Sequence, residues 1–422
     1  MQPADLIIRH AREILTCAGP APLAGARQRD VSAIQDGALA ACGGRIVYVG
    51  PTARLDASVT AAPGATVIDA AGHTVVPGFV DAHTHAVFAG DRRSELRRRL
   101  AGATYAEIAA AGGGIVSTVE ATRAATEQDL VDQSRPRLDE MLSCGTTTCE
   151  IKSGYGLELD SELRMLRATA RLQREHAIDI VPTFMGAHEL PREHRNRRDV
   201  YVDLVADEMI PAVAAERLAV WCDVFCEDGV FTPEESVKIL EAGIRHGLKP
   251  RIHADELGPS GGSMVAAAVG ARSADHLIFA PEDGIEAMAR AGVAATLLPN
   301  AAFYLKLGRF APARAFLDAS VPVALATDVN PGGGFSPSMP FAIALACFAM
   351  HMTFEEALAA ATINGAWSLD VAEDVGSLEP GKLADAVIVA GEAINLIRMG
   401  APSIAAVLKR GRVVAGKEKL ST

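Results

Sequence analysis

Between residues 76 and 331 the chain repeats one unit: a short apolar strand, a longer amphipathic stretch rich in Ala, Leu, Glu and Arg, then another strand. This alternation constrains the fold more than any other feature, because strands separated by helical stretches pair in parallel and need helices to cover them. Candidate strands fall at 75–82, 146–152, 178–185, 222–226, 250–254, 274–279, 293–298 and 323–327. Eight such strands predict an α/β fold, a closed (β/α)8 TIM-like barrel of about 250 residues. The flanks read differently. Residues 5–74 hold short β-like pieces with Gly and Pro turns, such as Gly44-Arg45-Ile46-Val47-Tyr48-Val49-Gly50, and residues 385–389, 406–408 and 412–414 resume that texture. Neither flank is large enough to bury a core alone. They are expected to pair as a small composite β-sandwich domain, with 1–75 its N-terminal part, 76–376 the barrel and 377–422 its C-terminal part.

Composition narrows the partners. Fifty-two acidic against 40 basic residues give a net charge of -12, which opposes the phosphate contacts that dominate nucleic-acid affinity. No apolar run reaches the roughly 18 residues that span a bilayer, so a membrane is not expected either. The start, Met1-Gln2-Pro3-Ala4-Asp5, lacks a charged leader followed by an apolar block, which predicts a cytoplasmic protein. Seven cysteines form no dense paired framework and are expected to be reduced. Cys222 and Cys226 lie on one face of a strand by its period of two, a packing arrangement. The charge run from Asp91 to Arg99 reads as a solvated helix face, Arg92 excepted. Gly112-Gly113-Gly114 and Gly332-Gly333-Gly334 lack the lysine of a phosphate-binding loop.

The histidines carry the chemistry. Six of the 11, His10, His73, His176, His194, His246 and His351, sit in polar, helical or loop settings without a second ligand type nearby. The other five, His83, His85, His188, His253 and His276, fall at the trailing ends of apolar strands. That end of a barrel surrounds its active site. In Asp81-Ala82-His83-Thr84-His85 the alternation of a strand points both imidazoles to one side, where they can hold one metal. His253 ends the fifth strand and Asp328 ends the eighth, in Ala324-Leu325-Ala326-Thr327-Asp328. Three neutral histidines and a carboxylate leave a position open for water, the mark of a catalytic rather than a structural site.

Val76-Pro77-Gly78-Phe79-Val80-Asp81-Ala82-His83-Thr84-His85, with His253, His276, Asp328 and Leu378-Glu379-Pro380-Gly381-Lys382-Leu383-Ala384-Asp385, resembles the amidohydrolase superfamily over nearly the whole chain. Within it, Phe88-Ala89-Gly90-Asp91-Arg92, Glu150-Ile151-Lys152-Ser153-Gly154-Tyr155-Gly156, Phe184-Met185-Gly186-Ala187-His188, His253-Ala254-Asp255-Glu256 and Thr327-Asp328-Val329-Asn330-Pro331-Gly332 resemble the imidazolonepropionase family of histidine breakdown. The resemblance implies hydrolysis of 4-imidazolone-5-propanoate to N-formimidoyl-L-glutamate. It also implies one zinc or iron ion on His83, His85, His253 and Asp328. Asp328 would accept the proton, Glu256 would orient water or relay a proton, and His276 would hydrogen-bond the water or the developing oxyanion. Arg92 would pair with the propanoate, Tyr155, His188 and Tyr105 would contact the substrate, and the loop of Asn330, Gly332 and Gly333 would hold it by its backbone. Binuclear members bridge two metals with a lysine on the fourth strand, and 221–227 contains none. One departure stands out: the family carries Ser or Thr directly after Asn-Pro-Gly, and this chain has Gly333. A homodimer is a further expectation. Two rivals remain open here: an aminohydrolase of a nucleobase-like ring, which gives Arg92 and Tyr155 no task, and a metal-free scaffold barrel, which would not need the four ligands retained here.

Overall fold

The computed structural model describes residues 1–103, 107 and 113–416. Among these, eight strands follow one another in parallel: Phe79–Asp81, Thr146–Lys152, Asp179–Ala187, Trp221–Cys226, Ile252–Ala254, Ser273–His276, Ala294–Leu297 and Val323–Leu325. A two-residue strand, Lys249–Pro250, extends the fifth at its start. The eighth returns to the first through Asp328 N–His83 O (3.1 Å) and His85 N–Val329 O (2.9 Å), so the backbone that closes the barrel also carries three of the predicted ligands. Thr146–Lys152 is buried along its whole length, as expected of a strand covered on both faces. Helices begin where the sequence caps them. Thr126, Thr232 and Thr353 each form a capping box with Asp129, Glu235 and Glu356, and Pro233 opens its helix without sacrificing a hydrogen bond. In Pro233–Arg245 the residues Ser236, Ile239, Leu240 and Gly243 are buried, a helical stripe facing the sheet.

The second sheet takes strands from both ends of the chain. Its order is Arg412–Ala415, Ile404–Lys409, Ala386–Ala390, His73–Pro77, Gln2–Leu15, Ala33–Cys42 and Arg45–Pro51, with Val59–Asp69 also paired to Gln2–Leu15. Leu6, Ile8 and Ile14 bury into one core and Ala4 and Ile7 into another, so both faces of this sheet are apolar. One boundary departs from the sequence reading. The continuous apolar run 75–82 is not a single strand: His73–Pro77 pairs with Ala386–Ala390 in the second sheet, and only Phe79–Asp81 enters the barrel. Periodicity cannot show a change of sheet, because both halves are buried. No helix among the described residues is long and apolar enough to cross a membrane.

Candidate active site

The C-terminal ends of the barrel strands surround a cavity of about 570 Å³. His83, His85 and His253 each place a ring nitrogen within 4.8 Å of the others. Asp328 Oδ1 lies 3.8 Å from His83 Nε2 and 3.9 Å from His85 Nε2. His276 approaches from the sixth strand, its ring centroid 5.1 Å from that of His253 and its Nδ1 3.5 Å from Glu256 Oε1. Both His276 (φ 72°) and Asp328 (φ 53°) adopt left-handed backbone, which costs a side-chain-bearing residue roughly 1–2 kcal/mol. Strain of this kind concentrates where a side chain must be aimed, and both line the cavity. Asp81 ties the first strand to the eighth, accepting from Thr327 N (2.9 Å) and Thr327 Oγ1 (2.5 Å); burial pushes its carboxyl up to about 7.

Hydrogen bonds set the imidazoles. His83 Nδ1 lies 2.6 Å from Asp275 Oδ2, and His253 Nδ1 lies 3.1 Å from Asp223 Oδ1. An ionised carboxylate only accepts, so each Nδ1 carries the proton and each Nε2 presents a lone pair. His83 Nε2 is buried without a hydrogen-bond partner among the described residues, and His85 Nε2 and His253 Nε2 face each other at 3.3 Å. Burial, with neighbouring Lys152 and histidines, holds His83 well below the ordinary imidazole range; burial, with His188 and His253, does the same to His85, and burial dominates for His276. Neutral imidazole is the form that ligates a metal. Burial and then Glu256 push Asp328 well above the usual carboxylate range, a state that a cation beside it would reverse. Burial and Glu227 push Glu256 up to about 8. Ring nitrogens that converge within 4.8 Å of one another beside one carboxylate make a donor set that fits a single metal ion.

The residues expected to contact substrate fall around the same cavity. Arg92 is buried, its Nε donating to Glu95 Oε2 at 2.8 Å, and it lines the cavity together with Tyr155, His188, Asn330, Gly332 and Gly333. A Cβ on Gly332 would lie 2.4 Å from Arg92 Nη1, so this glycine makes room for the guanidinium. His188 stacks on His85 with centroids 4.7 Å apart and donates from Nδ1 to Gly154 O, 3.0 Å away. The amides of Gly332 and Gly333 both donate to Asn330 Oδ1, at 2.7 and 2.6 Å, and Asn330 Nδ2 donates to Asp328 O at 2.8 Å. The asparagine thus shapes the loop around the Asp328 carboxylate. Gly334 completes it, since a Cβ there would sit 1.5 Å from Asp328 O. Tyr105 lies outside the described residues. Cys222 and Cys226 are buried and free, and burial raises both thiols, Cys226 to about 11.

One residue corrects the sequence reading. Arg97 and Arg98 are exposed, as a solvated face requires, but Arg99 is buried at the cavity wall, where its guanidinium holds Tyr304 O (2.9 Å) and Gly332 O (3.1 Å). The signal was the helical period: Arg92, Glu95 and Arg99 recur at three and four residues and share a face. Sequence reading also left Glu150, Asp223, Arg251 and Asp275 without a role, although all are fully buried beneath the histidines. Burial raises Asp223, but Lys152 and His253 outweigh it and hold this carboxyl well below its usual range.

Comparison with known proteins agrees with this geometry. The profile of the amidohydrolase family matches residues 74–416. A relative named imidazolonepropionase from Symbiobacterium thermophilum is 49% identical over 100% of this chain and 99% of its own length. Another protein of that name, from Brevibacillus brevis, is 49% identical over 98% of this chain and 99% of its own. Among solved structures, an adenosine deaminase from Xanthomonas campestris with bound zinc has a TM-score of 0.70 at 20% identity, covering 100% of this chain and 95% of that one; it shares the fold. The chain belongs to the amidohydrolase family, in the group that holds the imidazolonepropionases.

Proposed function

We propose that this chain opens the cyclic amide of 4-imidazolone-5-propanoate with water, giving N-formimidoyl-L-glutamate, and that His83, His85, His253 and Asp328 hold the one metal ion it needs. The observation that carries the proposal is the convergence of His83, His85, His253 and Asp328 at the base of a cavity walled by Arg92. Nitrogen and oxygen ligands of this kind suit zinc and iron alike. When bound, the ion supplies Lewis acidity, which makes water nucleophilic near neutral pH and polarises a carbonyl.

The other steps belong to side chains. Asp328 accepts the proton of the attacking water. Glu256, protonated near neutrality, passes a proton toward the departing ring nitrogen, and His276 hydrogen-bonds the oxygen on which negative charge develops. Arg92 pairs with the propanoate through a planar fork. Tyr155 and His188 contact the ring or its arm, and the loop of Asn330, Gly332 and Gly333 closes the pocket beside Asp328. Incubation with enzymatically generated imidazolone propanoate tests this directly: its ultraviolet absorbance is expected to fall as formimidoylglutamate accumulates. Stable absorbance, with ammonia released from a nucleobase instead, would make the chain an aminohydrolase.

A further inference from the structure

Among the described residues, a cluster of five charged side chains that no catalytic step uses lies beneath the histidines. Glu150 and Lys152 come from the second strand, Asp223 from the fourth, Arg251 from the start of the fifth and Asp275 from the sixth, and all are fully buried. Lys152 Nζ lies 2.7 Å from Glu150 Oε1, 2.6 Å from Asp223 Oδ2 and 3.6 Å from Asp275 Oδ2. Arg251 Nη2 lies 3.3 Å from Asp275 Oδ2, and its Nε is 3.8 Å from Glu150 Oε1. Each aspartate then reaches upward. Asp223 turns Oδ2 to Lys152 and Oδ1 to the Nδ1 and backbone N of His253, at 3.1 and 3.2 Å. Asp275 holds His83 Nδ1 at 2.6 Å. Arg251 also donates to Ala82 O at 3.0 Å, which fixes the backbone immediately before His83.

We infer that Lys152 and Arg251 are positioning residues of the metal centre, clamping Asp223 and Asp275 so that His253 and His83 present Nε2 to one point. A buried carboxylate needs a partner to stay charged and still, and a carboxylate behind a ligating histidine sets its tautomer, orientation and basicity. Here Lys152 reaches both aspartates, and Arg251 holds Asp275 as well. Three carboxylates against two cations leave the cluster a formal charge of -1, and Asp328 adds another, so the site complements a dication. Removing Lys152 would leave three crowded carboxylates with one cation and release Asp223 from its anchor.

Because this rests on the metal centre proposed above, the test begins with the wild-type protein. The full chain is stripped with a chelator and titrated with cobalt(II), reading the visible ligand-field band and the dissociation constant by competition. The apo-protein's thermal midpoint is recorded in parallel. Wild type is expected to bind about one cobalt. Lys152→Met is expected to bind it roughly 10–100-fold more weakly with an altered band. Lys409→Met, which breaks a buried cluster remote from the histidines, is expected to lower the midpoint and leave the cobalt affinity alone. If Lys152→Met does not fold, the isosteric Asp275→Asn carries the same expectation. Cobalt binding within about twofold of wild type and an unchanged band in the folded variant would overturn the inference, as would equal weakening by Lys409→Met. A wild-type chain that takes up no cobalt would overturn the metal centre itself, and the inference with it.

Discussion

Lys152 and Lys409 are two buried lysines in one chain, 0% and 4% exposed; the first lies within 3.6 Å of three carboxylates and the second within 2.8 Å of two. Lys409 Nζ lies 2.6 Å from Asp385 Oδ2 and 2.8 Å from Asp179 Oδ2, joining the second sheet to the third barrel strand. The second oxygens of those aspartates go to Arg410, one to its backbone amide and one to its guanidinium, at 2.7 and 2.8 Å. The network of Lys409 therefore ends in structure. The network of Lys152 passes through Asp223 to His253 and, with Arg251, through Asp275 to His83. Burial and pairing are alike in the two places, and desolvation taxes both. What separates a structural charge cluster from a functional one is the group on the far side of the carboxylate.

The largest effect that would break this contrast lies above the functional cluster. Asp328→Ala removes a proposed ligand and the proposed base, and loss of the base alone costs about 10²–10⁴-fold in turnover. Normal turnover after this substitution would empty the upper region of its role. Next comes the structural cluster. Lys409→Met strands the buried Asp385 and is expected to cost about 3–5 kcal/mol of stability, while kcat per folded molecule stays at the wild-type value. Chemical denaturation beside kinetics checks both halves; a fall in kcat with no loss of stability would erase the distinction.

Smaller effects sharpen the pocket side. Arg92→Ala should weaken substrate and imidazole-4-acetate by roughly tenfold to a hundredfold, the equivalent of about 1.5–3 kcal/mol for a charge-assisted pair. Arg92→Lys should recover part of that, because it restores charge without the fork, and exposed Arg98→Ala should change nothing. Unchanged binding by Arg92→Ala would favour a neutral ring substrate. The smallest effect concerns pH. Glu256, pushed up to about 8 by burial and Glu227, keeps its proton below that pH and loses it above. If it donates, kcat declines as pH rises through about 8, and Glu256→Gln, which cannot titrate, flattens that limb. A pH profile identical in the variant would reduce Glu256 to an orienting role.

Much of this was legible in the sequence, for identifiable reasons. His83, His85, His253 and Asp328 could be found because each stands at the trailing end of an apolar strand, and barrel geometry brings those ends together. The change of sheet inside 75–82 was not legible, since burial on both faces erases the alternation that would mark it. Arg99 hid in a run of arginines, two of which do face solvent. Glu150 and Lys152, two apart on one strand, share a face by period two. Their meaning depends on Asp223, Arg251 and Asp275, which only the closed barrel makes their neighbours. Gly333 departs from the family pattern, and here its amide is taken by Asn330 Oδ1 at 2.6 Å.

The most direct test of the central claim is metal content. The native protein and its His253→Ala variant, purified without added metal, are compared by elemental analysis per folded chain. One tightly held zinc or iron ion is expected in the native protein, with occupancy falling sharply when His253, the proposed ligand behind which Asp223 and Lys152 stand, is removed. Two fully occupied metals in the native protein, or undiminished occupancy in His253→Ala, would contradict the account.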